Sequence, residues 1–299
     1  MAKKIVLILV FLFVFSFALD AAPRKAELKP QEAEPDQQMN DFSLQGLSQG
    51  GKKAWEVRGK SADILTDIVK LTSVNADVYG EEENINLVGD KGTYDKSTGK
   101  IHLQDNVVIT TSGGGKLTTN YLDWDRESKR VSTEDVVNIQ RQNIKAVAKG
   151  LEGDPDLKKV SLKDDVTVEI QEVLEEAQSD DPLLSSKDPT IVTCDGPLEI
   201  DYEKEIAIFN NNVKVDQKEQ GVMHADKMEA YFDFKVKKIL RIKSIGNVKI
   251  VKDGNTSYSD EALYSAADKK MTLTGRPRLV INSQEKLLDT ASDNAPSGN

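Results

Sequence analysis

Apolar and polar residues alternate along short stretches of this chain. Ile101, Leu103, Val107 and Ile109 fall at odd positions, with polar residues mostly between them. Val160, Leu162, Val166, Val168 and Ile170 repeat the pattern at even positions. A period of two puts every second side chain on one face and marks half-buried strands. Only residues 61–69 carry a spacing that fits a short helix. The pattern predicts an all-β protein.

The alternation sits inside a longer repeat. Gly89-Asp90-Lys91-Gly92-Thr93-Tyr94-Asp95 matches Thr119-Asn120-Tyr121-Leu122-Asp123-Trp124-Asp125, 30 residues on. In that register Ile101 pairs with Val131, Val107 with Val137 and Ile109 with Ile139. A third copy, 59 residues on, pairs Ile101 with Val160, Leu103 with Leu162 and Val107 with Val166. At an offset of 106, Leu103 falls on Phe209 and Val107 on Val213. A fifth copy runs from Ala225-Asp226 to Gly246-Asn247-Val248. The last, at an offset of 170, pairs Asp90 with Asp260, Ile101 with Met271 and Leu103 with Leu273. Six copies in phase indicate a repeat architecture. Each copy predicts a hairpin with a polar turn, such as residues 96–99. Its second strand returns through an Asn-Val or Gly-Asn-Val step, where Gly and Asn suit a bulge with positive φ. One hairpin buries too little to stand alone, so neighbours must stack. The product is an elongated folded sheet of antiparallel strands with two facing walls and an apolar inner face.

The flanks differ. Lys3 and Lys4 precede an apolar run over 5–19, the pattern of a secretory signal, with a cleavage point after Ala18. A retained membrane anchor is the alternative, although 15 residues at about 1.5 Å each span roughly 22 Å, short of a ~30 Å hydrocarbon core. Residues 20–50 are rich in Pro, Gln, Glu and Asp and predict a tether. Residues 172–189 hold Glu172, Glu175, Glu176, Asp180, Asp181 and two prolines, an acidic linker between one unit at 51–171 and another at 190–283. Residues 284–299 predict a disordered tail.

Composition narrows the chemistry. The net charge of -10 leaves no domain-wide basic excess to neutralise phosphates, which excludes a nucleic-acid partner. One cysteine, Cys194, excludes an internal disulfide framework and a thiolate zinc site, and His102 and His224 alone leave little room for a triad. No metal and no cofactor are expected. Ser112-Gly113-Gly114-Gly115-Lys116 lacks the leading Gly and trailing Ser/Thr of a phosphate loop and predicts a turn. Asp90, Asp226 and Asp260 recur at one repeat position. A catalytic dyad needs two unlike environments, so equal copies predict a turn role and no catalytic residue. His102 alternates with Ile101 and Leu103 and is expected to face solvent.

Trp55-Glu56-Val57 with Ala62, then Val88 to Asp95 and Ile101-His102-Leu103-Gln104-Asp105-Asn106-Val107, resembles the LptC family of lipopolysaccharide export proteins. Ala207-Ile208-Phe209-Asn210-Asn211-Asn212-Val213, Ala225-Asp226, Gly246-Asn247-Val248 and residues 273–279 resemble its LptA, or OstA-like, relatives. The resemblance covers about 52–283 and implies an LptC-like unit followed by an LptA-like one. It implies an open, twisted antiparallel β-jelly roll with a hydrophobic groove, in the periplasm of a Gram-negative envelope. It also implies a non-enzymatic carrier that shields lipid A acyl chains of lipopolysaccharide. Its partners would be an inner-membrane lipopolysaccharide ABC transporter complex, which supplies the energy, and other Lpt jelly rolls, joined by head-to-tail strand addition.

On that basis the expected groove lining is Ile101, Leu103, Val107, Ile109, Trp124, Val131, Val137, Val160, Leu162, Val166, Phe209, Val213, Phe232, Val248, Met271 and Leu273. A filled core needs the same alternation, so the sequence leaves a dry structural adaptor open as the alternative. Trp55 and Val57 are expected near the first sheet edge, and Leu279 and Ile281 near the last, as docking strands. Arg276, Pro277 and Arg278 are the residues that would instead cap the last edge. A carbohydrate-active β-solenoid enzyme would need exposed aromatics, and an aromatic share of 6% disfavours it.

Overall fold

Strands follow one another from residue 37 to residue 280, and every described pairing between them is antiparallel. The computed structural model describes residues 35–282 apart from 49, 81–82, 126, 129, 155–157, 172–187, 219 and 234–237. The first half holds β1 (Gln37–Leu47), β2 (Lys53–Ile64), β3 (Ile68–Tyr79), β4 (Asn84–Asp95), β5 (Lys100–Thr111), β6 (Gly115–Asp125), β7 (Arg130–Arg141), β8 (Ile144–Gly153) and β9 (Lys159–Ile170). The second holds β10 (Thr190–Cys194), β11 (Leu198–Asp201), β12 (Ile206–Gln217), β13 (Gly221–Asp233), β14 (Lys238–Lys252), β15 (Asn255–Ser265), β16 (Lys270–Thr274) and β17 (Arg278–Val280). All belong to one sheet. β10 and β11 form one broken line between β9 and β12. β16 and β17 form a second broken line on β15. The family-implied all-β architecture of antiparallel hairpins is what the chain adopts.

Most long strands are interrupted once near the middle, where the register slips: at Gln104/Val107, Asn210/Val213 and Ile245/Val248, for example. The residues there have left-handed backbone: Asp105 and Asn106 at φ 64° and 54°, Asn211 and Asn212 at 61° and 54°, Gly246 and Asn247 at 78° and 46°. Asn, Asp and Gly tolerate that region at least cost, so the recurring Asn-Val step is the sequence trace of the bend. The bends divide every strand line into two walls. Wall A carries Leu71, Leu103, Leu162, Phe209 and Leu273; wall B carries Leu87, Ile109, Val168, Val215 and Leu279. Inner faces of the two walls pack together in one apolar cluster that includes Leu103 with Val107 and Leu162 with Val166.

The recurring aspartates lie at this bend and not in hairpin turns, which corrects the expected turn role. Asp90 accepts a hydrogen bond from Asn106 at 2.6 Å, Asp226 from Asn247 at 2.9 Å and Asp260 from Arg276 at 3.4 Å. Each ties one strand's bend to that of a neighbouring strand. The turns are held by another set. Asp95 accepts from the Ser97 hydroxyl and the Ser97 and Thr98 amides, and Asp125 and Asp201 accept from the amides two and three residues on. The Ser97 hydroxyl and the Thr98 amide hold the Asp95 carboxyl down to about 2 from an ordinary 3.8. A lowered carboxylate stabilises the fold fully above its unfolded pKa and loses that contribution as pH falls through its folded one. The gap in urea midpoint between the wild type and Asp95→Asn is therefore expected to be widest near neutrality and to close as pH falls from about 4 to about 2. A gap independent of pH would contradict this assignment.

Three further differences from the sequence reading have physical causes. Residues 61–69 are not helical: β2 ends at Ile64, the Leu65 amide donates to the Ile68 carbonyl, and β3 begins. The tether predicted over 20–50 contains β1, which pairs with β2 along its length. Phe42 of β1 lies opposite Gly59 and is 7% exposed, because a Cβ on Gly59 would sit 2.5 Å from its ring. An aromatic laid over a strand glycine recovers the burial that the glycine lacks. In consequence β2 has a neighbour on each side, and Trp55 and Val57 are not at a free edge; β1 is. Finally, β9 pairs directly with β10 and β11, so one sheet crosses the boundary expected between the units. The signal segment, the tail and residues 172–187 of the linker lie outside the described residues.

Candidate functional site

Cross-strand register places the inner side chains in rows that run at right angles to the strands. On wall A, one row passes from Leu103 through Leu122, with Leu151, Leu162 and Leu198 further along, to Phe209 and Met228. The next row outward from the bend joins Tyr94, Ile101, Trp124 and Val131, then Val160, Ile200 and, at its end, Met271. On wall B a row runs Leu87, Ile109, Leu117, Ile139, Ala146, Val168 and continues through Val192, Val215 and Met223. Each row crosses from β9 to the β10–β11 line without a gap. Leu162 meets Leu198, Val160 meets Ile200 and Val168 meets Val192. The alternation of the sequence therefore becomes one apolar surface common to both halves.

Depth separates the sixteen expected lining residues into two groups. Leu103, Val107, Ile109, Val131, Val137, Leu162, Val166, Phe209, Val213 and Val248 are buried, none more than 9% exposed. Most flank the bend, where the walls converge and their side chains fill the space. Ile101, Trp124, Val160, Phe232, Met271 and Leu273 are half-buried and lie further along wall A or toward the last strands. A cleft of about 780 Å³ that Ile101 and Trp124 border is lined mainly by the polar cross-strand row Thr93, His102, Asp123, Ser132 and Glu152, on the outer face of wall A and not between the walls. Toward β15 the inner residues shrink: Ala225, Val248 and Ala262 form a separate small cluster, with Ser244 and Ser259 beside them. Sequence reasoning missed Leu122, Leu151, Leu198 and Met228, all buried on the same face. In the repeat register Leu122 and Leu151 both fall on Gly92, which offers no apolar side chain to match, although Leu122 lies directly opposite Leu103.

The polar candidates sit apart from this surface. His102 is on the outer face, its Nδ1 2.6 Å from an Asp123 carboxylate oxygen. His224 pairs across to Lys214 and Lys249 on the outer face of wall B. Cys194 is buried beside the β10–β11 break, and desolvation pushes its thiol up, away from the reactive thiolate. Among the described residues no group of three or more His, Cys, Asp or Glu is placed to hold a metal. Leu279 and Ile281 are 60% and 66% exposed at the last edge. Residues 112–114 sit in the turn between β5 and β6.

Comparison with known proteins adds the family. The family described as "Lipopolysaccharide-assembly, LptC-related" matches residues 4–171, more than half of the chain. The chain belongs to this lipopolysaccharide-assembly family. The LptC-related region is followed by a match to "LptA/(LptD N-terminal domain) LPS transport protein" over residues 196–290. An LptC-like unit thus precedes an LptA-like one, as the residues suggested. No curated protein sequence matches the chain. Among solved structures it is similar to LptH of Pseudomonas aeruginosa, described as the LptA-homologous periplasmic component of the lipopolysaccharide transport device. That match has 13% identity and a TM-score of 0.21, and covers 67% of this chain and 95% of LptH.

Proposed function

We propose that this LptC-related protein is a non-enzymatic periplasmic bridge. It takes lipid A acyl chains between its walls and passes them from an inner-membrane ABC transporter toward the outer membrane. The observation that carries the reading is the continuity of the inner apolar rows across β9 and β10–β11. An acyl chain gains about 0.8 kcal/mol per CH₂ removed from water, so a dozen carbons gain on the order of 10 kcal/mol. Release into water would be slow, while a step to the next stretch of the same surface is nearly isoenergetic. The sequence carries no nucleotide-binding motif, so direction comes from the partner ATPase. Entry would begin at the half-buried positions, because those apolar groups still face water, and deeper access requires the walls to part. Ten sealed lining residues favour a second reading, an envelope adaptor with a dry interior.

One experiment separates the two. A photo-crosslinking residue is placed singly at Ile101, Phe232 or Leu273 on the inner face, and at Thr272 on the outer face. Lipopolysaccharide adducts are expected at the three inner positions and not at Thr272. Equal labelling at all four, or none at any, would leave the adaptor reading standing and remove the carrier one.

A further inference from the structure

The hairpin turns at the far ends of the two walls form the lips of the space between them. Arg141 ends β7 at the wall B lip, two residues beyond Ile139 and therefore on the same inner face. Tyr202 follows β11 at the wall A lip, two residues beyond Ile200. Its amide donates to the Lys158 carbonyl at 2.9 Å, which extends the ladder between β9 and β11 and keeps Tyr202 on the face of Ile200. The Arg141 guanidinium carbon stands 6.0 Å from the centre of the Tyr202 ring, so the two side chains meet across the mouth. Glu83, just before β4, lies over Gly113 of the β5–β6 turn, where a Cβ would collide with its carboxylate. It accepts a hydrogen bond from Arg141 at 2.6 Å. Both members of that pair remain reachable from water, with side chains 41% and 33% exposed. On the other lip Lys158 adds a second cation, its Nζ 3.9 Å from a Glu203 carboxylate oxygen.

We propose that Arg141 is a phosphate-binding residue at the mouth of the groove, and that Glu83 holds its guanidinium in place until a lipid phosphate displaces the carboxylate. The proposal rests on the carrier reading and adds recognition of the head group to that of the tails. A lipid whose tails lie against Ile139 and Ile200 sets its first polar groups one step outward, about 7 Å along each strand. That is the level of Arg141 and Tyr202. Lipid A carries phosphate on the sugars to which its tails are joined, so the phosphate arrives where the guanidinium stands. The planar fork of Arg matches two phosphate oxygens at once, and a phosphate brings more negative charge than a single carboxylate. An exposed ion pair such as Arg141 with Glu83 contributes little and yields readily, so the exchange runs toward the phosphate once the tails are seated. The same exchange draws Arg141 away from Tyr202. That contact spans the mouth between a strand of the first half and the end of a strand of the second, and it has to open for a head group to pass.

The test places the photo-crosslinking residue at Phe232 of the intact chain and offers either phosphorylated lipid A or lipid A stripped of its phosphates. Capture of the phosphorylated form is expected to be about tenfold better, the worth of one charge-assisted contact. Arg141→Gln should bring that ratio to about one, and Arg141→Lys should restore part of it. Glu83→Gln removes the competing carboxylate and should raise the ratio about threefold, a gain that damage to the fold would not produce. A ratio left at the wild-type value by Arg141→Gln, whether or not capture of both lipids falls, would show that Arg141 only ties the lips. That result overturns the proposal and leaves the carrier reading intact. Inorganic phosphate alone, titrated by calorimetry into the wild type, should show no saturable binding at millimolar concentration. Saturable binding that Arg141→Gln abolishes would assign the site to free phosphate and overturn the head-group proposal. Capture of neither lipid removes the carrier reading and this proposal together.

Discussion

Gly196→Ala is expected to open the seam between the two halves. Gly196 has φ +106° and sits in the break between β10 and β11. A Cβ there would lie 1.9 Å from the Lys163 carbonyl oxygen and 3.1 Å from the Asp164 Cα, both backbone atoms of β9. No side-chain rotation relieves such a contact, so β9 or the break must move by about an ångström in an interior that tolerates little displacement. The movement would strip the hydrogen bond from the Asp165 amide to the Asp195 carbonyl and loosen Leu162 from Leu198. Backbone strain and lost packing together predict a cost on the order of 3–5 kcal/mol. Equilibrium urea unfolding would record it as a lower midpoint. Amide exchange should accelerate over 159–170 and 190–201 before it does elsewhere. Unchanged exchange in those two stretches would show that the seam is not held as described.

Leu162→Ala is the second large effect. Leu162 is 1% exposed and lies between Leu151 of β8 and Leu198 of β11. Truncation leaves a cavity that flanking strands cannot fill, and such sites cost about 3 kcal/mol. Leu273 stands at the matching position of the last line but is only half-buried, with no strand beyond it among the described residues. Leu273→Ala is therefore expected to cost about 1 kcal/mol or less. Urea unfolding of both variants under one condition gives the comparison. Equal losses would mean that the uncovered edge packs as tightly as the covered one, contrary to the exposures.

Much of this architecture was legible because the bend restricts chemistry. Only Gly, Asn and Asp enter left-handed backbone cheaply, so Asn106, Asn212 and Asn247 mark the bend in the sequence as well as in space. The role of Asp90, Asp226 and Asp260 was misjudged because an aspartate that caps a turn and one that ties two bends look alike in a single strand. Position relative to the neighbouring strand decides it, and that is a property of register. Strand β1 escaped notice because its single buried aromatic, Phe42, depends on Gly59, which lies 17 residues away in the sequence. Missing β1 moved the expected first edge inward to Trp55. Depth was not legible either. Val107 and Ile101 alternate identically, yet one is sealed and the other half-open, since distance from the bend decides how closely the opposite wall approaches.

Pairing each strand with its sequence neighbours has a consequence for how such a protein grows. However many hairpins the meander contains, it leaves two unpaired margins. Duplication of a hairpin within the chain lengthens the molecule without adding a sticky border to the solvent-exposed surface. Gain or loss of a single strand would reverse the polarity of one terminus and spoil its fit, so lengthening by whole hairpins is the form of change this architecture can absorb.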